Sequence, residues 1–222
     1  FITRTLQFTR VCFNYFLINF INSYVFESQT QLDYFQKYFP NKKSCGLIYD
    51  KYTKRSSLKL HSKVEEINKV QIGLIGGIST DRRNYESLIA ALNLLKDEIR
   101  NNLKIIILGH SGNHYSEEIL KRIEKYVEVK RIDTFLTEQE FEIYGRKCSF
   151  LLSPLREEKP YGTYTGTGGF GDLVFLKRKL IIPKRVDPYG EFKNLCLYYE
   201  SNNELANILK DISINNINGK LT

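Results

Sequence analysis

From Val70 onward, apolar and polar positions come in blocks with a regular beat. A continuous apolar run occupies 70–76 (VQIGLIG), and strand-like segments follow at 103–109 (LKIIILG), 127–132 (VEVKRI), 148–152 (CSFLL), 179–183 (KLIIP) and 195–199 (LCLYY). Their length and flanking turn residues predict six strands buried on both faces. Between them, Tyr85, Leu88, Ile89, Leu92 and Leu95 recur at helical spacing. Ser116 followed by Glu117 and Glu118 predicts a helix start, with acids near the positive end of the dipole. Thr137-Glu138-Gln139-Glu140 has the form of a capping box for a short helix carrying Phe141 and Tyr144. A last helix is expected from about Asn203 to Ile212.

Strands interleaved with amphipathic helices predict an α/β domain, a Rossmann-like parallel sheet with helices on both faces. Such sheets bind ligands beyond the carboxyl ends of their strands. Functional residues are therefore expected just after positions 76, 109, 152 and 183. Before residue 70, YVFES (24–28) reads as a strand, Gln29 to Phe39 as a helix and CGLIYD (45–50) as a short strand. The stretch 51–69 is polar and charged. The resulting organisation is a remnant of a second α/β domain over 1–50, a linker over 51–69 and the main domain over 70–222.

Composition changes this picture in three ways. There is no Met, and the chain opens at Phe1 without a polar lead; we expect a front portion to be missing. Thirty-three basic against 25 acidic residues give a formal charge of +8, which suits anionic partners. Nucleic acid is disfavoured among these, because the basic residues are scattered without interleaved aromatics. The four cysteines are far apart and form no Cys-x-x-Cys pair, which fits reduced thiols and a cytoplasmic setting. The aromatic run 11–26 is interrupted by Asn14, Asn19, Asn22 and Ser23 and is too short and polar to span a bilayer. It reads as a buried helix leading into a strand, with an interfacial helix, and so a peripheral contact on the inner membrane face, as the alternative.

The segment 153–185 carries the chemistry. Gly162, Gly166, Gly168 and Gly169, with Thr163, Tyr164, Thr165 and Thr167, precede a short helix. Glycines admit close approach of a ligand to the backbone, and a helix start offers unpaired N–H groups to phosphate. No Gly-Lys-Ser/Thr follows, so this is not a Walker loop, and it falls at the fourth strand, where a dinucleotide fingerprint does not belong. The candidate ligand contacts at these strand ends and in this loop are Gly76, Gly77, Gly109, His110, Tyr164, Thr165, Gly166, Thr167, Gly168 and Gly169.

These motifs resemble those of the GT-B glycosyltransferases, particularly the retaining group-one or family-four type, over about 66–213 and weakly over 22–50. IGLIGGISTDRRNYESLIAAL matches the family's first strand and following helix, with Arg83-Asn84 at its Lys-Asn position and Gly77 where the family has an arginine. IIILGHSGNHY matches a strand ending in Gly-x-Gly. GDLVFLKRKLIIP aligns with the helix that begins with the family's second glutamate, placing Asp172 there. The resemblance implies that Arg83, with Arg82 as substitute, binds the donor diphosphate. It implies that Asp172 holds the ribose, that Phe135 and Leu136 border the base, and that Glu157 or Glu158 takes the place of the first glutamate, absent at Tyr164. Arg83 and Glu158 are the catalytic candidates.

The reaction expected from the resemblance moves a sugar from a nucleotide-diphosphate donor onto a glycan or lipid-linked acceptor, as in polysaccharide biosynthesis. It calls for no metal or other cofactor; the nucleotide sugar is substrate. The competing expectation is a catalytically degenerate GT-B-like module that binds a nucleotide or a partner protein without turnover.

Overall fold

The computed structural model describes residues 20–21, 23–26, 28–47, 69–79, 81–110, 114–132, 135–159, 161 and 166–214. The elements begin with strand β1 (Tyr24–Phe26), helix α1 (Gln29–Tyr38) and strand β2 (Ser44–Leu47). β1 and β2 pair in parallel, so this stretch is a small βαβ unit. Ser28 caps α1, its hydroxyl accepting from Gln31 N at 3.3 Å. Phe35 packs the helix onto the strand, with ring centroids 4.5 Å from Tyr24 and 5.0 Å from Phe26. The predicted strand and helix at 24–39 are both found. The expected helix over 11–26 lies largely outside the described residues, as do positions 48–50 and the linker up to 68.

The main sheet contains β3 (Val70–Ile75), β4 (Leu103–Leu108), β5 (Glu128–Lys130), β6 (Phe150–Leu152), β7 (Leu180–Pro183) and β8 (Cys196–Tyr199). All neighbours are parallel, in the spatial order β5-β4-β3-β6-β7-β8. Each of the six strands predicted from residue 70 onward is therefore found, but β5 is not buried on both faces: it lies at the sheet edge with Glu128 and Lys130 exposed. The order reverses between β3 and β6, and this switch point leaves a crevice at the carboxyl edge.

Helices α2 (Tyr85–Asn93), α3 (Asp97–Asn101), α4 (His114–Glu124), α5 (Glu138–Lys147), α6 (Gly168–Leu176) and α7 (Asn202–Ile214) complete the domain. Side chains alternate across the strands, so two cores form. Ile72, Leu74, Ile105 and Ile107 meet Leu88, Leu92, Leu120 and Leu209 on one face. Ile75, Ile106, Leu108, Leu151 and Ile182 meet Leu173 and Leu176 on the other. Each fully buried aliphatic side chain contributes about 1.5–3 kcal/mol to holding these layers together.

Local signals fared unevenly. The Thr137 capping box is present in full, with Thr137 Oγ1 accepting from Glu140 N and Glu140 accepting from Thr137 N at 2.8 Å. Ser116 is not a helix start: α4 begins at His114, and Ser116 lies buried inside it. Helix α3 has five residues, too few for a periodic signal to register.

Candidate functional site

The carboxyl ends of β3, β4 and β6 converge with the start of α6. β3 leaves the sheet through Gly76, whose φ of +76° lies in the left-handed region. A Cβ at Gly76 would collide with Arg83 Nη2, and one at Gly109 would collide with the Gly76 carbonyl. Both glycines are thus required by close approach. Gly77 is not: a Cβ there would meet only His110 O, at an ordinary 3.6 Å.

Arg83 sits at the switch point. It forms an isolated antiparallel bridge to Leu155, and Asn84 N donates to Pro154 O at 2.6 Å. The turn after β3 is thereby stitched to the turn after β6. Asn84 then caps α2, its side chain accepting from Ser87 N. The Arg83 side chain is only 8% exposed, and its Nε is buried without a hydrogen-bond partner. Burial pulls its guanidinium below the ordinary value, with Tyr85 and more weakly Tyr161 and Asp172 pulling the other way and Arg82 adding to the lowering.

Ser153, 1% exposed at the end of β6, also has a buried hydroxyl without a partner. Its backbone N donates to Ile181 O at 3.0 Å, so the strand is paired while the side chain is not. Two orphaned groups of this kind at the end of adjacent strands are costly unless a ligand or solvent satisfies them.

α6 opens with Thr167 as its cap, the buried hydroxyl accepting from Gly169 N at 3.3 Å. Gly169 backs onto Ile75 and Leu180, each 3.3 Å from a Cβ placed there, so the helix start is held close to β3 and β7. A Cβ at Gly168 would meet nothing within 4 Å; that residue faces open space. One turn on, Asp172 is half-buried. Burial raises its carboxyl to about 6, and Arg83 acts in the opposite sense. The glycine-rich approach is described at Gly166, which is half-buried; Tyr164 and Thr165 lie outside the described residues.

His110 and Phe135 stack at 4.1 Å with an interplanar angle of 18° beyond the β4 end. Phe135 is 77% exposed, and His110 Nδ1 is buried without a partner. Arg82 is exposed and engaged elsewhere, its Nε donating to Tyr161 Oη at 2.7 Å. Glu158 is exposed and pairs with Arg156 at 3.4 Å. Arg185 braces that loop by donating to Leu155 O, Arg156 O and Lys159 O.

The structure therefore brings Gly76, Arg83, Gly109 and His110 together, and couples Arg83 electrostatically to Asp172 on α6. It does not place Glu158 on Arg83. Ser153 and Arg185 stand where strand ends predicted function, yet neither residue type was distinctive in sequence. Tyr161 gave no signal at all. Among the described residues, no group of His, Cys, Asp and Glu side chains forms a metal site, and no helix is long and apolar enough to cross a membrane. A recessed guanidinium, a free hydroxyl and a capped helix start together favour a bound anion.

No family model and no curated protein matches the chain. Solved structures do. The N-terminal domain of trehalose-6-phosphate phosphatase from Candida albicans superposes with a TM-score of 0.58 at 12% identity, over 87% of this chain and 50% of that one. OtsA in its apo form matches with a TM-score of 0.56 at 11% identity, over 86% and 52%. An E. coli trehalose-6-phosphate structure bound with UDP-2-fluoro glucose matches at 0.54 and 11%, over the same shares. The chain spans about half the length of each of these neighbours. Its fold is that of the GT-B glycosyltransferases.

Proposed function

We propose that this chain supplies the donor-binding part of a glycosyltransferase. The reaction moves a sugar from a nucleotide diphosphate to a hydroxyl of a glycan or lipid-linked acceptor, on the cytoplasmic side of polysaccharide biosynthesis. The observation that carries the reading is Arg83: a buried guanidinium with an unsatisfied Nε at the switch point of a parallel sheet. Charge growing on a departing diphosphate would be met by Arg83 and by the N–H groups at the start of α6, in a site already oriented for it. Asp172 would accept the ribose hydroxyls, and the exposed ring of Phe135 would border the base. The UDP-2-fluoro glucose held by the E. coli neighbour supports a nucleotide sugar as the ligand class. Residues 1–50 would then be the last elements of an acceptor-side domain, joined through 51–69 to the donor side at 70–222.

Calorimetric titration of the chain with UDP, GDP, ADP and CDP tests this. Saturable binding with a preference for one base supports it; no binding by any of the four overturns it.

A second reading, binding without turnover, is favoured by one observation. Glu158 is exposed and paired with Arg156, so it does not stand in for the family's first glutamate beside Arg83. Nucleotide binding without release of sugar from a matched nucleotide sugar, even with acceptors present, is the result that reading requires.

A further inference from the structure

The βαβ unit meets the main domain through a polar ring that no local sequence pattern announces. Glu191 Oε1 accepts from Gln29 N at 2.6 Å, supplying a carboxylate to the first turn of α1, where an unpaired N–H and the helix dipole favour one. Tyr189 Oη donates to Asp33 Oδ2 at 2.7 Å, and Gln29 Nε2 donates to Asp33 Oδ1 at 2.6 Å. Tyr189, and then Gln29, hold the Asp33 carboxyl below its usual range.

The loop presenting Tyr189 and Glu191 is rigidly built. Buried Asp187 accepts from Glu191 N at 2.9 Å, from Phe192 N at 2.8 Å and from the Tyr198 hydroxyl. Gly190 takes a φ of +67° to make the turn. Its last residue, Phe192, stacks on Phe170 of α6 with centroids 4.1 Å apart and planes 8° from parallel. Phe170 is two residues from Asp172.

We infer that the 187–192 loop is a clamp that holds the βαβ unit against the main domain and ties its placement to helix α6. The path is contiguous: α1, Tyr189 and Glu191, Phe192, Phe170, α6. A packed aromatic pair and a hydrogen-bonded loop transmit displacement because neither deforms gradually. Release of α1 therefore loosens the start of α6, and a change at α6 reaches the βαβ unit by the same route.

The test needs no ligand, so it stands apart from the donor reading. Hydrogen exchange is followed on the full 222-residue chain at 29–38 and 168–176, with 70–75 as internal reference. Tyr189→Phe/Glu191→Gln is expected to raise exchange about tenfold at 29–38 and measurably at 168–176 while 70–75 stays protected. In a Phe192→Leu background, the effect on 168–176 should vanish while that on 29–38 remains. Unchanged exchange at 29–38 overturns the clamp. No effect at 168–176, or an equal effect there in the Phe192→Leu background, overturns the coupling. Should the double variant lose its fold, Tyr189→Phe alone, which deletes one hydroxyl from an exposed ring, should shift 29–38 in the same direction, and no shift there overturns the clamp.

Discussion

The guanidinium of Arg83 lies against the Cα of Gly76, in space that any side chain at position 76 would fill. Sequence separates the two by a turn; the fold makes the glycine the wall of the arginine's recess. Gly76→Ala should therefore do two things. It should destabilise the protein by about 1–3 kcal/mol through the positive φ and the clash. It should also displace Arg83, so that nucleoside-diphosphate affinity falls further than stability explains. Denaturant titration beside calorimetry separates the two losses.

Arg83→Ala should weaken nucleoside-diphosphate binding by about 1.5–3 kcal/mol, the value of a hydrogen bond to a charged group. Stability should hold or rise, since the variant removes a buried charge whose Nε has no partner. An unchanged affinity would sink its assignment as the phosphate contact.

Gly168→Ala should separate fold from site. Its Cβ would meet nothing, so the variant should stabilise the domain by about 0.4–1 kcal/mol through the unfolded chain. The added methyl would stand at the open start of α6, and nucleotide affinity should drop. Equal affinity with higher stability would move the ligand away from that helix end.

Asp172 predicts a pH dependence of defined sign. Its carboxyl is raised by burial from 3.8 to about 6 in the folded chain, so the folded state holds this proton more tightly. Stability from this group is greatest below 3.8, falls as pH rises through the window to about 6, and is fully lost above it. Asp172→Asn should remove that dependence and gain stability at neutral pH. Arg83→Ala, which deletes the charge opposing burial, should push the window upward. Unfolding free energy measured across about pH 4–8 in the three proteins checks both signs.

The central strands beyond residue 70 could be read as apolar runs, because a strand covered on both faces must be apolar throughout, whereas β5 lies at the sheet edge with Glu128 and Lys130 exposed. The Thr137 capping box was readable because both of its partners lie within four residues. The candidate edge followed from the general rule that parallel sheets place their crevices at strand ends. Ser116 misled because its neighbours suit a helix start while the fold buries it inside the first turn of α4.

What the sequence by itself determined is thus the set of local elements. Only the tertiary structure decided which residues share the candidate edge. The order β5-β4-β3-β6-β7-β8 brings Ser153 beside the turn that carries Arg83. It buries the arginine while leaving its neighbour Arg82 outside on Tyr161. It leaves Glu158 in solvent, and it joins Tyr189 to Asp33 across 156 residues. Periodicity reports which face of an element is buried. It carries no information about what the other elements put there, and whether a charge is recessed, paired or free depends on that.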